Sequence, residues 1–449
     1  MASEEHTRTT RWLLIVLIVG AAAILRFAYN ANTLIVDPIR ADAAYNLIYA
    51  NNLLESATFS KDRSDHPVPD SYWAPGYPLF LAAVIWTSKL LSVDTYHAIL
   101  FCQLLLGAGT VFLCFMVAAS FLPGLWPLLP ALLAALSPHL VSTASYVLTE
   151  TLFGFLLILA FYGLVKALRG VSHASWFWAG TYFALSSLVN PVSLFLAPII
   201  AIVIFLSTRS GQLELPVSGV YRCLALFLAP LILTSSLWSI RSAVSVPAEQ
   251  ATASKRLLTN LVIGMYPDYH EKWRASILQP EHQIVVPGAG VDKSYSIFFE
   301  ALVQRFTQNP AQMLAWYAIQ KPILLWDWDI RTGFGDIYIY RVEYSLYHTS
   351  IPAIATYSIM VALHPVVLIT SVIGLGFIYR RGSKNPLVPI LLYIALLYIS
   401  LIYILSQSEP RYSIPLRSEV YICFTFALWQ VSRWLGLRKR PQQEKKIEN

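Results

Sequence analysis

The chain has 449 residues, of which 56% are hydrophobic and only 13% are charged, whereas charged residues make up about a quarter of a soluble domain. This composition excludes a disordered chain, a coiled coil and a basic nucleic-acid-binding domain, and it indicates a chain that spans a membrane several times. The formal net charge of +7 is typical of a membrane protein whose cytoplasmic segments are rich in lysine and arginine.

Apolar segments follow one another along the chain, and a membrane-spanning helix needs about 17–25 such residues. The second segment, Tyr77–Leu91, is short and carries Lys89, so we expect it to lie along the membrane surface. Asn190-Pro191 separates two others, because proline is a natural helix break. In chain order the segments are Trp12–Tyr29, Tyr77–Leu91, Ala98–Phe121, Trp126–Val141, Leu152–Leu168, Trp176–Val189, Val192–Leu206, Cys223–Ile240, Ile351–Tyr379, Leu387–Leu405 and Tyr412–Trp434.

The positions of lysine and arginine favour about ten crossings with both chain ends in the cytoplasm, because every basic cluster then obeys the positive-inside rule. The predicted fold class is therefore an all-α polytopic membrane protein, with one transmembrane domain at residues 1–434 and a basic cytoplasmic tail at 435–449. Two outer loops follow from this topology, at about residues 30–97 and 241–350. Amphipathic stretches in the second loop, such as Tyr295–Val303 and Met313–Leu325, predict helices at the membrane surface.

Three acidic residues fall on the outer face in this topology. Asp42 follows the first predicted membrane helix, Glu150 stands at the head of the fourth, and Glu409 lies between the ninth and tenth. Acidic residues at membrane depth are costly, so their grouping indicates one site on that face. A carboxylate there can take the proton that an acceptor hydroxyl or amine must lose.

Each acidic residue also has a structural alternative. Asp42 could cap a helix that runs from Ala43 to Glu55. Glu150 could stabilise the first turn of its helix through the helix dipole. Glu409 could form an ion pair with Arg411 inside a short turn. The sequence leaves these alternatives open.

Metal-binding patterns in the chain are weak. Asp327-Trp328-Asp329 has the DxD pattern of soluble nucleotide-sugar enzymes, but it lies in an outer loop, and its tryptophans are typical of residues at a membrane interface. His66 and His97 in the first loop are alternative ligands. We expect no cofactor and no metal site, and a divalent metal is an alternative that the sequence does not support.

Several motifs occur in a fixed order between residue 26 and about residue 434. They are Arg26 followed by Asp42-x-x-Tyr45, then Pro75-Gly76-Tyr77-Pro78, Thr149-Glu150-Thr151, Asn190-Pro191, Trp238-x-x-Arg241, Asn309-Pro310 followed by Lys321, and Glu409-x-Arg411-Tyr412. In this order they resemble the motifs of the GT-C glycosyltransferases. The most similar group within that superfamily is that of the protein O-mannosyltransferases and lipid A aminoarabinose transferases.

The resemblance implies a GT-C-type fold and a donor in which a sugar is attached to dolichyl or undecaprenyl phosphate. It implies catalytic roles for Asp42 and Glu150. It also implies supporting roles for Tyr45, Tyr77, Asn190, Glu409 and Tyr412. Two positions depart from the family pattern. Ala43 stands where a second acid often follows the aspartate, and Asn190 stands where many relatives carry a basic residue.

Three basic residues could hold the donor phosphate, namely Arg241, Lys321 and Arg411. Arginine presents a fork of donors that fits phosphate oxygens, and lysine acts as a point charge. Each of the three could equally anchor the chain at the membrane interface.

The predicted function is that of a hexosyl- or pentosyltransferase. It would move a sugar from a polyprenyl-phosphate donor to an acceptor glycan, lipid or protein by an inverting single displacement. The expected place is the outer face of a bacterial-type inner membrane, with no nucleic-acid partner. The alternatives are a polymerase or ligase of lipid-linked glycans and a transporter. A transporter predicts internal repeats and acids at mid-membrane, and the sequence shows neither clearly.

Overall fold

The computed structural model describes residues 2–170, 172–211, 213, 217–278, 294–378 and 387–436. These residues form a bundle of long helices, with shorter helices and loops gathered at one end. The predicted basic tail past Gly436 and the segment 279–293 of the second loop lie outside the described residues. The first helices are α1 (Ala2–Ala31), α2 (Ala41–Ser56), α3 (Gly76–Leu90), α4 (Thr95–Ala118), α5 (Leu128–Leu136), α6 (Pro138–Ser142) and α7 (Thr149–Arg169).

The break predicted at Asn190-Pro191 is confirmed. The next helix ends one residue before Asn190, whose side chain accepts a hydrogen bond from the backbone N–H of Val192 at 3.2 Å. A 3₁₀ turn at Pro191–Ser193 follows, since proline cannot supply the N–H that continues a helix. The helices around this break are α8 (His173–Val189), α9 (Leu196–Arg209) and α10 (Val217–Ser245).

Short helices fill much of the chain between α10 and the next long helix. Helices are present at Tyr295–Val303 and Met313–Leu325, and the second contains a π-helical turn at Trp316–Gln320. Their position at the membrane surface stays a prediction. These helices are α11 (Ala253–Gly264), α12 (Tyr269–Leu278), α13 (Tyr295–Gln308), α14 (Pro310–Ala315), α15 (Lys321–Leu325) and α16 (Leu346–Thr349).

The last part of the chain returns to the bundle through α17 (Ile351–Ile378), α18 (Leu387–Leu405), α19 (Pro410–Ser413) and α20 (Arg417–Trp434). One small feature departs from the all-α prediction. Strand β1 (Leu34–Ile35) pairs antiparallel with β2 (Val342–Tyr344), with Leu34 opposite Tyr344. This ribbon attaches the loop after α1 to the loop of residues 326–345, which connects α15 to α16.

Within the described residues, seven helices are long and apolar enough to cross a membrane, and α5 with the segment after it forms an eighth if a pair bent by 59° counts as one span. The protein is therefore an integral multi-pass membrane protein. The other predicted segments correspond to α3, α8 and α20, which are shorter or more polar. For example, α20 carries Arg417, Glu419 and Arg433 within its 18 residues. The number of about ten crossings stays a prediction.

Helix α7 lies at the centre of the bundle. In the most apolar 18-residue stretch of α7, 67% of the residues are buried, whereas the corresponding value is 22% in α1, α10 and α17. The exposed apolar faces of these three helices suit a lipid environment. Helix α7 packs against α4 and α8, and α8 also packs against α10. A Cβ on Gly180 would lie 1.9 Å from the carbonyl oxygen of Phe227, so only glycine permits this approach of α8 to α10.

The 57–75 loop, between α2 and α3, is fixed to the start of the second loop. Arg241, near the end of α10, donates hydrogen bonds to the carbonyl oxygens of Asp70 at 2.5 Å and Phe59 at 3.0 Å. The N–H of Ser71 donates to the carbonyl oxygen of Ala251 at 3.1 Å. The 57–75 loop is therefore bound to the end of α10 and to the segment that follows it.

Candidate active site

Arg411 joins the two predicted catalytic acids. It lies in α19, a single turn that begins at Pro410 between α18 and α20. Its Nη1 donates to Oδ2 of Asp42 at 3.0 Å, and its Nε donates to Oε1 of Glu150. Three residues that are far apart in the chain thus meet at one guanidinium, as a shared site requires.

The three side chains differ in access to solvent. Arg411 is 16% exposed and Glu150 is 7% exposed, whereas Asp42 is 38% exposed. Burial alone lowers the pKa of Arg411, but the carboxylates of Glu150 and Asp42 outweigh this effect and raise its pKa well above the usual value. The guanidinium therefore stays charged while it holds both acids.

Asp42 does not cap α2, as the structural alternative predicted, but lies in the first turn of this helix. Arg40 occupies the cap position and makes no side-chain capping bond. The residue between them, Ala41, has φ of 47°, a left-handed conformation that costs an alanine of order 1 kcal/mol or more and that is found most often at functional sites. Among the described residues, Oδ2 of Asp42 binds Arg411, and no donor contacts Oδ1.

The start of α2 is held by the 326–345 loop. The hydroxyl of Tyr340 donates to the carbonyl oxygen of Arg40 at 3.0 Å. The guanidinium of Arg40 lies 5.0 Å from the ring centre of Phe334 and 5.1 Å from that of Tyr340, as in cation–π contacts. Burial raises the pKa of Tyr340 to about 12, so its hydroxyl remains a donor at neutral pH.

Glu409 does not pair with Arg411, although both belong to the same turn. Its Oε1 accepts a hydrogen bond from the backbone N–H of Thr332 at 3.1 Å, and its Oε2 lies 3.0 Å from Nε2 of His270. Glu409 is 1% exposed. It therefore connects the α19 turn to α12 and to the 326–345 loop.

Asn190 and Tyr412 are connected through one further tyrosine. Nδ2 of Asn190 donates to the hydroxyl of Tyr403 at 3.0 Å, and the ring of Tyr403 stacks on that of Tyr412 at 4.9 Å between centres. The break between α8 and α9 thus supports the α19 turn beside Arg411.

The other two predicted supporting residues have separate places. Tyr77 is fully buried and donates to Oε1 of Gln103 at 2.8 Å, which holds α3 on α4. Tyr45 follows Asp42 by one helical turn on the same side of α2 and is 43% exposed. Its ring lies 6.3 Å from that of Trp73.

Lys321 begins α15, directly after the π-helical turn, and is fully buried. Its Nζ donates to the carbonyl oxygen of Ser406 at 2.6 Å and lies 4.1 Å from the ring centre of Tyr317. Among the described residues no carboxylate pairs with it. Burial lowers the pKa of Lys321 to about 7. Helix α15, which begins at Lys321, packs against α19, the turn that carries Arg411.

Gly264 makes the position of Lys321 possible. A Cβ at this residue would lie 1.8 Å from the carbonyl oxygen of Ser406 and 3.1 Å from Nζ of Lys321. The carbonyl oxygen of Gly264 also accepts a hydrogen bond from Nε1 of Trp316 at 2.9 Å. The end of α11 therefore packs directly against the side chain of Lys321.

Arg241 is separate from the carboxylate cluster. Its guanidinium donates to the carbonyl oxygens of Phe59 and Asp70, and it lies 5.1 Å from the ring centre of Trp238. Of the three basic residues predicted for phosphate binding, the two arginines are thus engaged with protein groups. Lys321 is the one with a buried charge and a single hydrogen bond.

The DxD acids are engaged in ion pairs. Asp327 pairs with Arg331 at 2.7 Å, and Asp329 pairs with Arg274 at 3.2 Å. His97 lies 2.6 Å from Asp94, which caps α4. Within the described ranges, no three or more His, Cys, Asp or Glu side chains form a group that could hold a metal ion.

The carboxylate cluster itself does not fit a divalent metal ion. The guanidinium of Arg411 stands between Asp42 and Glu150, where such an ion would bind both carboxylates. Ala43, at the position of the second acid, adds no ligand. Arg411 thus occupies the space between the two carboxylates and balances one of their two negative charges.

Sequence reasoning missed several residues around the site, notably Tyr340, His270 and Arg256. Arg256 lies in α11, and its guanidinium is 3.9 Å from the ring centre of Trp73. None of the three belongs to a local motif, so no signal in the sequence marked them. Arg40 lies two residues before Asp42 and contacts Tyr340, so it was the residue near a motif that could have indicated this surrounding.

Known structures share the fold of this chain. One is the archaeal oligosaccharyltransferase AglB from Archaeoglobus fulgidus in complex with an inhibitory peptide and a dolichol-phosphate, with a TM-score of 0.51 and 12% identity over 98% of this chain and 52% of that one. The apo form of the A. fulgidus oligosaccharyltransferase gives 0.50 and 13% over 95% and 51%. Its complex with Zn and sulfate gives 0.51 and 12% over 94% and 50%.

These neighbours are members of the GT-C superfamily, and the fold of this chain is accordingly GT-C-like. The chain spans about half the length of the oligosaccharyltransferases that it matches. No family model matches the sequence, and no curated protein matches it at a significant level.

Proposed function

We propose that the protein is a glycosyltransferase that moves a sugar from a polyprenyl-phosphate donor to an acceptor at the membrane surface. The observation that carries the proposal is the unequal burial of the two acids that Arg411 holds: Asp42 is 38% exposed and Glu150 is 7% exposed. One carboxylate is thus open to an acceptor, while the other keeps the guanidinium in place. The GT-C-like fold supports the same reaction class.

In the proposed reaction Asp42 is the general base. The acceptor oxygen or nitrogen attacks the anomeric carbon, and its proton passes to Oδ1 of Asp42. The bond between the anomeric carbon and the phosphate oxygen breaks, and polyprenyl phosphate leaves with the electron pair. A single displacement of this kind inverts the anomeric carbon. The phosphate is a good leaving group, so one carboxylate is sufficient and no acid is needed at position 43.

Arg411 and Glu150 position the base. With Nη1 on Asp42 and Nε on Glu150, the guanidinium restricts the rotation of the Asp42 side chain and leaves Oδ1 free for the acceptor. Fixing a catalytic group in this way lowers the entropic part of the barrier. Glu150 is accordingly a positioning residue in this proposal.

Lys321 is the proposed ligand of the donor phosphate. A buried ammonium with one hydrogen bond and no carboxylate partner among the described residues is costly in the absence of an anion, and a phosphate would offset that cost. Arg411 lies on α19, which packs on α15, but its Nη1 and Nε already hold Asp42 and Glu150. Arg241 is assigned a structural role, because its donors already bind the 57–75 loop.

We further propose, from the motif order, that the donor carries a single hexose or pentose, as in the O-mannosyltransferase and aminoarabinose transferase group. From the placement of lysine and arginine, we also propose that the site faces the outside of a bacterial-type inner membrane. A polymerase or ligase of lipid-linked glycans is the second candidate, because the neighbours with the same fold are oligosaccharyltransferases.

The experiment measures thermal unfolding of the purified full-length protein with undecaprenyl phosphate as the probe. A ligand present at 100 times its Kd stabilises the folded state by about 2.7 kcal/mol. We expect this stabilisation in the wild type and its loss in Lys321→Met, which keeps the apolar stem. Lys272→Met is the matched control, because Lys272 is 62% exposed and, within the described part of the chain, its ion pair is with Asp268.

Two results would contradict the proposal. One is an unfolding temperature of the wild type that does not change with undecaprenyl phosphate. The other is equal stabilisation of wild type and Lys321→Met, which would show that the lipid binds away from this lysine.

A further inference from the structure

We propose that His139, His364 and Arg417 are positioning residues of the candidate active site. They belong to α6, α17 and α20, and together they hold the first residues of the 326–345 loop. This loop is bound to the segments on both sides of the ion pair between the proposed base and Arg411. The inference rests on the proposed function, and it adds three residues that act through the loop without touching a substrate.

Three consecutive backbone carbonyl oxygens at the start of the loop are each bound by one of these side chains. Nε2 of His364 donates to the carbonyl oxygen of Trp326 at 2.8 Å. Nε2 of His139 donates to the carbonyl oxygen of Trp328 at 2.9 Å. Nη2 of Arg417 donates to the carbonyl oxygen of the residue between them at 3.2 Å. Three separate helices therefore fix the backbone of the loop at three successive positions.

The three side chains and the ring of Trp328 form one packed unit. Nδ1 of His364 accepts a hydrogen bond from Nη1 of Arg417 at 2.7 Å while its Nε2 donates to the loop. One acceptor and one donor are the pattern of a neutral imidazole. The ring centre of Trp328 lies 4.4 Å from that of His139 and 5.4 Å from that of His364. His139 and Arg417 are each 2% exposed, so this unit belongs to the interior of the bundle.

The loop held in this way reaches the candidate site at two points. The backbone N–H of Thr332 donates to Oε1 of Glu409, which lies two residues before Arg411. The hydroxyl of Tyr340 donates to the carbonyl oxygen of Arg40, which lies two residues before the proposed base. The loop is therefore a shared support of the guanidinium and of the carboxylate that it holds.

Hydrogen bonds inside the loop link its first residues to these two contacts. Nε1 of Trp328 donates to Oδ1 of Asp336 at 2.6 Å, and the hydroxyl of Tyr357 on α17 donates to the same oxygen at 2.8 Å. The N–H of Ile330 donates to the carbonyl oxygen of Asp336 at 2.8 Å. Asp336 has φ of 53°, a conformation that persists where the surrounding structure fixes it. A displacement of residues 326–328 would therefore displace the rest of the loop.

The expected consequence is a loss of turnover without a loss of donor binding. A displacement of about 1 Å at a reacting group can lower a rate by about 10²-fold. Lys321, the proposed ligand of the donor phosphate, is held separately by the carbonyl oxygen of Ser406. Loss of the contacts to the loop should therefore lower kcat and leave the KM for the donor unchanged.

Two substitutions of His364 test the inference. Glutamine keeps one donor and one acceptor, whereas leucine removes both. The purified full-length protein in nanodiscs receives undecaprenyl phosphate that carries labelled mannose or labelled aminoarabinose, and the release of undecaprenyl phosphate per folded molecule is measured. We expect His364→Leu to lower kcat by about 10²-fold at an unchanged KM, and His364→Gln to retain most of the turnover. His97→Leu is the matched control, because His97 is 81% exposed.

Amide hydrogen exchange on the same samples reports how firmly the loop is held, independently of activity. The N–H of Thr332 should exchange faster in His364→Leu than in the wild type, and as in the wild type in His364→Gln and His97→Leu. If His364→Leu does not fold, His139→Leu and His139→Gln give the same comparison, since Arg417 then keeps its histidine partner.

The inference is overturned if the leucine and glutamine variants have equal kcat, or if Thr332 exchanges equally fast in both. It is also overturned if leucine lowers the melting temperature while turnover per folded molecule is unchanged, because the contacts would then stabilise the fold alone. A wild type that releases no undecaprenyl phosphate would contradict the proposed function instead, and the exchange at Thr332 would still decide whether these side chains hold the loop.

Discussion

Replacement of Asp42 by asparagine separates a catalytic role of this residue from a structural one. Asparagine has the same size, and its amide oxygen can still accept the hydrogen bond from Nη1 of Arg411. It cannot take a proton from an acceptor. We therefore expect turnover to fall by about 10²–10⁴-fold, the usual contribution of a general base.

The same substitution should change stability little. The Asp42 side chain is 38% exposed and that of Arg411 is 16% exposed, and ion pairs accessible to solvent contribute about 0–1 kcal/mol. Arg411 also keeps Glu150 as a partner, so no buried charge is left alone. The melting temperature should shift by no more than about 2–4 °C.

The assay follows transfer of a labelled sugar from a polyprenyl-phosphate donor by the purified protein in nanodiscs, with thermal unfolding measured on the same sample. Asp65→Asn is the matched control, because it makes the same chemical change at an exposed aspartate of the 57–75 loop. Turnover of Asp42→Asn close to that of the control, at an unchanged melting temperature, would refute the role of Asp42 as base and move it to Glu150.

The same geometry supports three other predictions. Glu150→Gln removes a hydrogen bond between buried charged groups while Arg411 keeps Asp42 as a partner, so it should destabilise the protein by about 1.5–3 kcal/mol in a denaturant titration, and an effect as small as that of Asp42→Asn would contradict the assignment. Because burial lowers the pKa of Lys321 to about 7, donor binding should weaken as the pH rises above that value, and Lys321→Arg, which keeps its charge, should bind equally over that range. In a variant without the native cysteines, an impermeant thiol reagent should label Gln308→Cys but not Ser172→Cys in intact cells, and the reverse would invert the predicted topology.

The helical architecture was predictable because each membrane helix is specified by its own apolar run. The break at Asn190-Pro191 and the short helices around Tyr295–Val303 could also be read locally, from a proline and from amphipathic spacing. The number of crossings could not be settled in this way. Much of α8 and α20 is buried by protein neighbours, so the hydropathy of these helices does not show whether they cross the membrane.

The cluster of Asp42, Glu150 and Arg411 was predictable, whereas the contacts around it were predictable only in part. Charge topology placed Asp42, Glu150 and Arg411 on one face, and the structure brings them together. The partner of Glu409 was not predictable, because His270 lies in a different segment and has no local signature. Which of the three basic residues to propose as the phosphate ligand was also not predictable from the sequence. The proposal rests on burial, and burial depends on contacts between distant segments, such as that between Lys321 and Ser406.

The π-helical turn at Trp316–Gln320 has a consequence for how relatives of this chain should be aligned. A π-turn holds one residue more than an α-turn, so it takes up an added residue while the helix beyond it keeps the same face. Trp316 begins the turn and contacts Gly264, and Lys321 follows the turn and contacts Ser406. A chain with one residue fewer here could make both contacts from a regular α-helix, with its lysine one position closer to the tryptophan. An alignment of relatives should therefore allow a gap of one residue between the tryptophan and the lysine.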